Sequence, residues 1–183
     1  MTDEARLEQA ESGLKPASDG WFVANVGEAA WFVHDTFGSG ASFESREFPF
    51  AQLGININVL QSGQPLCLYH EESAQEDFLV LAGECVLLVS EQERPLRAWD
   101  FFHCSPGTEH VIVGAGDGVS IVLAVGARPE QGHIRYPRSP LAERYGASAV
   151  EETTDPQEAY TRAGHERPRA ERPAYWAELP WAE

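Results

Sequence analysis

Residues 64–83, QPLCLYHEESAQEDFLVLAG, place a histidine and several acidic residues just ahead of an apolar run. His70 and Glu72 are two residues apart, so on a strand their side chains point to the same face. Glu76 immediately precedes the apolar run, in which Gly83 is the first glycine. Because glycine adopts a positive φ readily, Gly83 predicts a hairpin turn that splits this run into two strands.

The same texture of short apolar runs extends on both sides of this stretch, from Trp21 to about Gly126. Glycine, proline and aspartate separate the runs, and no window of about 12 residues shows a helical period. Many short strands at a spacing of about 8–12 residues predict an all-β sandwich or barrel. The runs that favour strands are 21–26, 53–60, 65–70, 77–89, 101–104, 110–116 and 118–127.

One strand candidate alternates strictly between apolar and polar residues: Ile55, Asn56, Ile57, Asn58 and Val59. This period of two places both asparagines on one face of the strand and the apolar residues on the other. The asparagines then either line a polar pocket or face water, and the alternation alone leaves both readings open.

A second histidine, His110, lies at the start of another apolar run, 34 residues after Glu76. Two imidazoles and one or two carboxylates that converge from separate strands would suit a divalent first-row metal. Histidines at strand ends are also commonly solvated, so an alternative is an empty barrel in which Glu72 and Glu76 hydrogen-bond to His70. Spacing alone does not choose between the two.

Residues 64–83 resemble the first cupin motif, G(X)5HXH(X)3E(X)6G, with its spacings intact. His70, Glu76 and Gly83 fall on the first histidine, the glutamate and the closing glycine, whereas Glu72 stands where a second histidine is usual. Gln64 replaces the first glycine.

Residues 99–114 are similar to the second cupin motif, G(X)5PXG(X)2H(X)3N, and place Gly107 and His110 on its glycine and histidine. Three positions of that motif depart from the pattern and hold Trp99, Ser105 and Gly114. The resemblance covers roughly residues 53–127.

The resemblance implies an all-β, double-stranded β-barrel (jelly roll). We expect a weakly ordered N-terminal arm at residues 1–20, the barrel at 21–127 and a C-terminal extension at 128–183. The extension is rich in proline and partly helical. Short helices are expected at 139–146 and at 155–163, the second with an N-cap aspartate and a proline at its first position. We expect its two tryptophans, Trp176 and Trp181, to dock on a surface, and we expect a homodimer in which an N- or C-terminal segment covers the partner.

The resemblance further implies a metal centre formed by His70, Glu76 and His110, with Glu72 as a fourth ligand or as a general base. The metal would be iron, manganese, zinc or nickel, and the carboxylates favour iron(II) or manganese over copper. The implied function is a metal-dependent enzyme, oxygenase- or isomerase-like, that acts on a small molecule. The alternative is a non-catalytic cupin that binds a small metabolite.

Composition excludes several partners. The 183 residues carry a formal net charge of -16, which repels nucleic acid and anionic membranes. The first residues, MTDEARLEQAES, lack the basic start and apolar stretch of a secretory signal. The three cysteines, Cys67, Cys85 and Cys104, are an odd number without a CxxC pair. We therefore expect free thiols in a reducing, cytoplasmic compartment.

Overall fold

The structure is a computed structural model that describes residues 3–34, 36–161, 167–168 and 172–182. Strands predominate, as the sequence predicts, and the helices are short. The strands are β1 Leu7–Ala10, β2 Gly13–Pro16, β3 Ala30–Val33, β4 Ser39–Ser42, β5 Leu53–Leu60, β6 Glu71–Glu72, β7 Glu76–Ala82, β8 Glu84–Val89, β9 Gln92–Arg97, β10 Phe101–Cys104, β11 His110–Ala115, β12 Ser120–Ala127, β13 Ile134–Arg135 and β14 Arg167–Pro168. The helices are α1 Pro140–Glu143, α2 Pro156–Ala159 and a 3-10 helix at Ala174–Glu178. No helix within the described residues is both long and apolar enough to cross a membrane.

Two antiparallel sheets face each other across the main core. The larger has the strand order β10-β7-β12-β5-β4-β3-β14, and the smaller has the order β11-β8-β9. Val80 and Val122 from the larger sheet pack with Leu87 and Ile112 from the smaller one. We call the side of the larger sheet that meets this core its inner face. The arrangement is the predicted jelly roll, although strand pairing among the described residues does not join the sheets into one closed barrel.

Gly83 marks a crossing between the two sheets, so the predicted hairpin is wrong. Strand β7 pairs with β10 and β12, whereas β8 pairs with β9 and β11. The positive φ is confirmed at +75°, and a Cβ at this position would lie 2.5 Å from the carbonyl oxygen of Val119. Glycine is required here because the chain turns in the left-handed region against neighbouring backbone.

Two other local predictions are wrong. Residues 21–26 and 65–70 form isolated bridges at Trp21, Pro65 and His70 instead of strands. At Pro65 the pairing with β11 is one bridge, in which the Leu66 N–H donates to the Ile112 carbonyl and the Gly114 N–H donates to the Gln64 carbonyl.

The expected weak order of the N-terminal arm is also wrong for residues 7–16, which form the β1–β2 hairpin. Backbone hydrogen bonds hold this hairpin to the start of the barrel, from the Leu14 N–H to the Glu28 carbonyl and from the Trp31 N–H to the Ser12 carbonyl. The polar sequence of the arm hides this order, because backbone groups make the contacts.

The C-terminal extension packs on the outer face of the larger sheet. Trp176 meets Trp31 edge to face, with ring centroids 5.0 Å apart, and Trp181 packs in the same cluster. The predicted docking of both tryptophans is therefore confirmed, on the chain's own sheet. The predicted helix start at Asp155 is also confirmed, because its side chain accepts a hydrogen bond from the Gln157 N–H at 2.8 Å. Residues 162 and 163 of that predicted helix lie outside the described residues.

Candidate metal centre

His70 and His110 lie opposite each other in two neighbouring antiparallel segments of the backbone. Each donates its backbone N–H to the other's carbonyl, at 3.1 and 2.8 Å, in an isolated antiparallel bridge. Both side chains are buried, and their ring centroids lie 4.8 Å apart. Two residues that are 40 positions apart in the sequence are thus brought together by backbone pairing.

Glu76 completes this group from the first position of β7. Its Oε2 atom lies 3.5 Å from His70 Nε2 and 3.4 Å from His110 Nε2. The potential ligand atoms of the three side chains all lie within 4.8 Å of one another. Their arrangement therefore surrounds one point with two imidazole nitrogens and one carboxylate.

The other ring nitrogen of each histidine is held by a backbone carbonyl two residues earlier. His70 Nδ1 lies 2.7 Å from the Leu68 oxygen, and His110 Nδ1 lies 3.0 Å from the Thr108 oxygen. A carbonyl can only accept, so each Nδ1 carries a proton, and in the neutral form of each ring the Nε2 atom presents its lone pair. This is the arrangement that orients a ligating histidine in metal proteins.

Two atoms at the convergence point have no hydrogen-bond partner among the described residues: Glu76 Oε2 and His110 Nε2. Both are buried acceptors, and buried polar atoms in proteins are almost always paired. A divalent cation is bound by such atoms, so the donor set fits a metal of the mixed nitrogen and oxygen type.

The electrostatics point the same way. Burial and the neighbouring His70 lower the pKa of His110 to about 4, which keeps its imidazole neutral. Burial raises the pKa of Glu76, but both histidines outweigh it and the net direction is downward. Burial also lowers the pKa of His70, but the Cys67 sulfur and the Glu76 carboxylate outweigh it and raise that pKa well above its usual value. The site therefore attracts positive charge, and a proton competes with a cation for His70.

Glu72 lies at the margin of this group. Its Oε1 atom is 3.9 Å from His70 Nε2, and it falls outside the cluster of His70, Glu76 and His110. Burial and the Glu76 carboxylate raise the pKa of Glu72. Its role as a ligand or as a base stays a prediction.

Arg135 links the two segments that carry His70 and His110, and it was not predicted from the sequence. Its Nε donates to Glu71 and one terminal nitrogen donates to Glu109, each at 2.7 Å. Glu71 follows His70 directly, and Glu109 precedes His110. No local sequence pattern indicates these ion pairs, because Arg135 lies 64 residues beyond Glu71 in the chain.

The residues next to the site residues point away from the site. His103 is exposed and bonds Asp77 at 2.7 Å, away from the site. Tyr69 is fully buried against a second layer that includes Leu88 and Val111.

The three cysteines are free thiols, as the sequence predicts. Cys85 and Cys104 are buried, and Cys67 lines a cavity beside the centre.

That cavity has a volume of about 410 Å³ and settles the position of the two asparagines. Asn56 and Asn58 both line it. Their partners on β12, Ala124 and Val122, belong to the core between the sheets, so the asparagines lie on the inner face. The cavity adjoins the centre through Cys67, whose sulfur is 3.6 Å from His70 Nδ1.

No protein-family model matches the sequence, and no curated protein matches it. Among solved structures, a predicted oxalate decarboxylase from Thermotoga maritima is similar, with a TM-score of 0.52 and 21% identity over 59% of this chain and 100% of that chain. The polyketide cyclase RemF from Streptomyces resistomycificus has a TM-score of 0.52 and 8% identity, over 61% and 83% of the two chains. A sugar phosphate isomerase of a cupin superfamily from Silicibacter pomeroyi has a TM-score of 0.47 and 24% identity over 53% of this chain. The aligned part spans 63% of that isomerase, less than two thirds of its length.

The antiparallel jelly roll and the two motifs that meet inside it define the class. The chain has the cupin fold, as the resemblance implied. At identities below 25%, the likeness to the solved structures shows the fold alone.

Proposed function

We propose that this chain is a metal-dependent cupin that acts on a small molecule, with His70, Glu76 and His110 as the metal ligands. The observation that carries the proposal is the convergence of two Nε2 lone pairs and one carboxylate. Two of these acceptor atoms are buried without a partner among the described residues. The mixed donor set favours iron(II) or manganese, with zinc and nickel as further candidates.

Three protein ligands leave room for water or for a substrate oxygen. A bound divalent ion would supply Lewis acidity at that position. Glu72 borders it, and we propose that its carboxylate is a fourth ligand, as its position in the motif implies. The alternative is that Glu72 accepts a substrate proton, for which its raised pKa is suited.

We propose oxygenase- or isomerase-like chemistry. The solved structures named above include an isomerase, a decarboxylase and a cyclase, which shows how widely the chemistry of this fold varies. The alternative is a non-catalytic barrel that holds a metabolite. Oxygen uptake with a panel of small molecules separates an oxygenase from both other readings.

Metal analysis of protein purified without a histidine tag tests the proposal, and we expect about one divalent ion per chain. Glu72→Gln keeps the size of the side chain and one oxygen but removes the charge. Metal retention that falls about tenfold supports a ligand, whereas unchanged retention with impaired turnover supports a base. Protein that holds no metal after purification and reconstitution would contradict the proposal.

We also propose a homodimer. The sequence predicts a terminal segment as the cover of the partner, whereas the surface proposed here is an edge of the larger sheet. Strand β10 is an edge of the larger sheet, and two apolar side chains are exposed there, Phe101 at the start of β10 and Trp99 just before it. Exposed edges and apolar patches are commonly covered by a partner. Light scattering at tens of micromolar should give twice the chain mass, and a monomer mass would remove this part. The free thiols support a reducing, cytoplasmic location, which fractionation of cells would test.

A further inference from the structure

Three aromatic side chains form part of the wall of the cavity beside the candidate metal centre. Phe32, Phe37 and Tyr160 line it. The rings of Phe37 and Tyr160 meet edge to face, with centroids 5.3 Å apart, and Tyr160 Oη accepts a hydrogen bond from the Leu68 N–H. These contacts hold the rings in place, and fixed aromatic walls favour flat apolar ligands.

Three residues with side-chain amides line the cavity: Asn56, Asn58 and Gln157. Asn58 is only 6% exposed, yet no described residue donates to its amide or accepts from it. Asn56, two residues earlier on the same face of β5, likewise has no partner for its amide within the described residues. A buried amide is normally hydrogen-bonded, so Asn58 needs a partner from the cavity. Each amide offers donors and an acceptor, which suits a hydroxyl or carbonyl group.

The described residues that line the cavity include no lysine or arginine. The Nδ1 atom of His34, which also lines the cavity, accepts from the backbone N–H groups of Thr36 and Phe37, at 3.1 and 3.2 Å.

The positive end of α2 at the rim is already capped by the Asp155 carboxylate. A phosphate or carboxylate would have no lysine or arginine partner among the described residues of the cavity, and a buried anion without a charged partner is costly. At the centre itself, the Glu76 carboxylate would offset part of the charge of a bound divalent ion.

We propose that the cavity binds an uncharged aromatic molecule that carries a hydroxyl or carbonyl group, with Asn58 as the main hydrogen-bonding residue and Asn56 as the second. That the ligand would reach the metal rests on the proposed function. That the ligand binds rests on the cavity alone. It differs from the anionic substrates that the names of the isomerase and the decarboxylase indicate for those proteins.

The probe is 2-naphthol, titrated calorimetrically into the full chain with and without bound manganese. Fructose 6-phosphate and oxalate serve as anionic comparisons, and we expect both to bind at least tenfold more weakly. Asn58→Leu should weaken 2-naphthol binding about tenfold, since the hydroxyl loses its partner in a buried site. It should leave manganese affinity unchanged within about twofold. The matched control is Asn25→Leu, the same change at an exposed asparagine outside the cavity, and it should alter neither affinity.

The outcomes separate the two proposals. If 2-naphthol binds but the protein holds neither manganese nor iron(II), zinc or nickel, the metal proposal fails and the ligand class stands. If manganese binds but 2-naphthol does not, or if an anion binds as tightly, the ligand class is overturned. Equal affinities in Asn58→Leu and Asn25→Leu would also overturn it. Should Asn58→Leu fail to fold by circular dichroism, Asn56→Leu replaces it, and an affinity equal to that of the control is then the contradicting result.

Discussion

The inner and outer faces of the larger sheet differ in the kind of side chain that the same strand, β5, presents on each. On β5, Asn56 and Asn58 point inward to the cavity, whereas Ile57 and Val59 point outward and pack under the C-terminal tryptophans. The inner face keeps polar groups without partners among the described residues, and the outer face is filled with apolar side chains. Strand alternation thus assigns binding to one face and stability to the other.

The outer face also has two buried polar atoms without a partner among the described residues, the indole nitrogens of Trp31 and Trp181. Their chemistry differs from that of Glu76 Oε2 and His110 Nε2. An indole N–H can only donate, so it cannot bind a cation, whereas the inner atoms are acceptors. The type of unpaired atom, and not only its presence, distinguishes a site from a packing imperfection.

The largest effect should come from removing an inner imidazole. We expect His70→Ala and His110→Ala each to lower metal affinity by at least about a hundredfold, because two remaining ligands bind a divalent ion poorly. Metal analysis after gel filtration measures this. His103→Ala is the control, since this histidine is exposed on the outer side. Full metal content in both site variants would place the metal elsewhere. The inner face would then not be the metal-binding face.

The next effect belongs to the outer face. Trp31 is 1% exposed, and Trp31→Ala should reduce the free energy of unfolding by about 3–5 kcal/mol, as expected when a large buried aromatic is truncated. Urea unfolding measures the loss. Protein that remains folded should keep its full metal content. Loss of metal from folded Trp31→Ala would show that the two faces are coupled and not independent.

The smallest effect concerns a carboxylate that, unlike Glu76, is fully paired. Glu44 accepts from Arg128 at 2.8 Å and from the Phe50 N–H at 2.7 Å, and the Arg128 hydrogen bond holds its pKa below the usual value despite burial. Glu44→Gln should cost about 1 kcal/mol of unfolding free energy at pH 7. Because the folded pKa lies below the unfolded one, this difference is full above about pH 5 and disappears as the pH falls through the folded value.

Denaturant curves of wild type and Glu44→Gln across that pH range test the sign. A difference that grows as the pH falls would contradict the assigned direction. Metal affinity should stay the same in both proteins, since Glu44 lies outside the inner face.

The local parts of the fold and site could be predicted from the sequence. Strand alternation placed the asparagines together, and the motif spacing indicated His70, Glu76 and His110, which the structure brings within 4.8 Å. The positive φ of Gly83 was also predictable, because it depends on the residue itself. The partners of β7 and β8 were not, since a glycine turn reads the same in a hairpin and in a crossing between sheets.

The long-range parts could not be predicted for a related reason. Arg135 binds two carboxylates from distant segments, and a charge carries no mark of its partner in the sequence. The order of residues 7–16 depends on backbone hydrogen bonds, which leave little trace in the pattern of side chains.

Tyr160 and the first turn of α2 belong to the extension that follows the motif-bearing strands, yet they form part of the cavity wall. The groups that would do chemistry and the groups that would choose the ligand therefore lie on separate stretches of chain. Changes at Pro156 and Gln157 would alter the cavity wall in a stretch separate from the histidines and Glu76, whereas Tyr160 also bonds the Leu68 N–H close to His70. In protein engineering the same separation makes this short segment a natural place to graft new specificity onto an unchanged barrel.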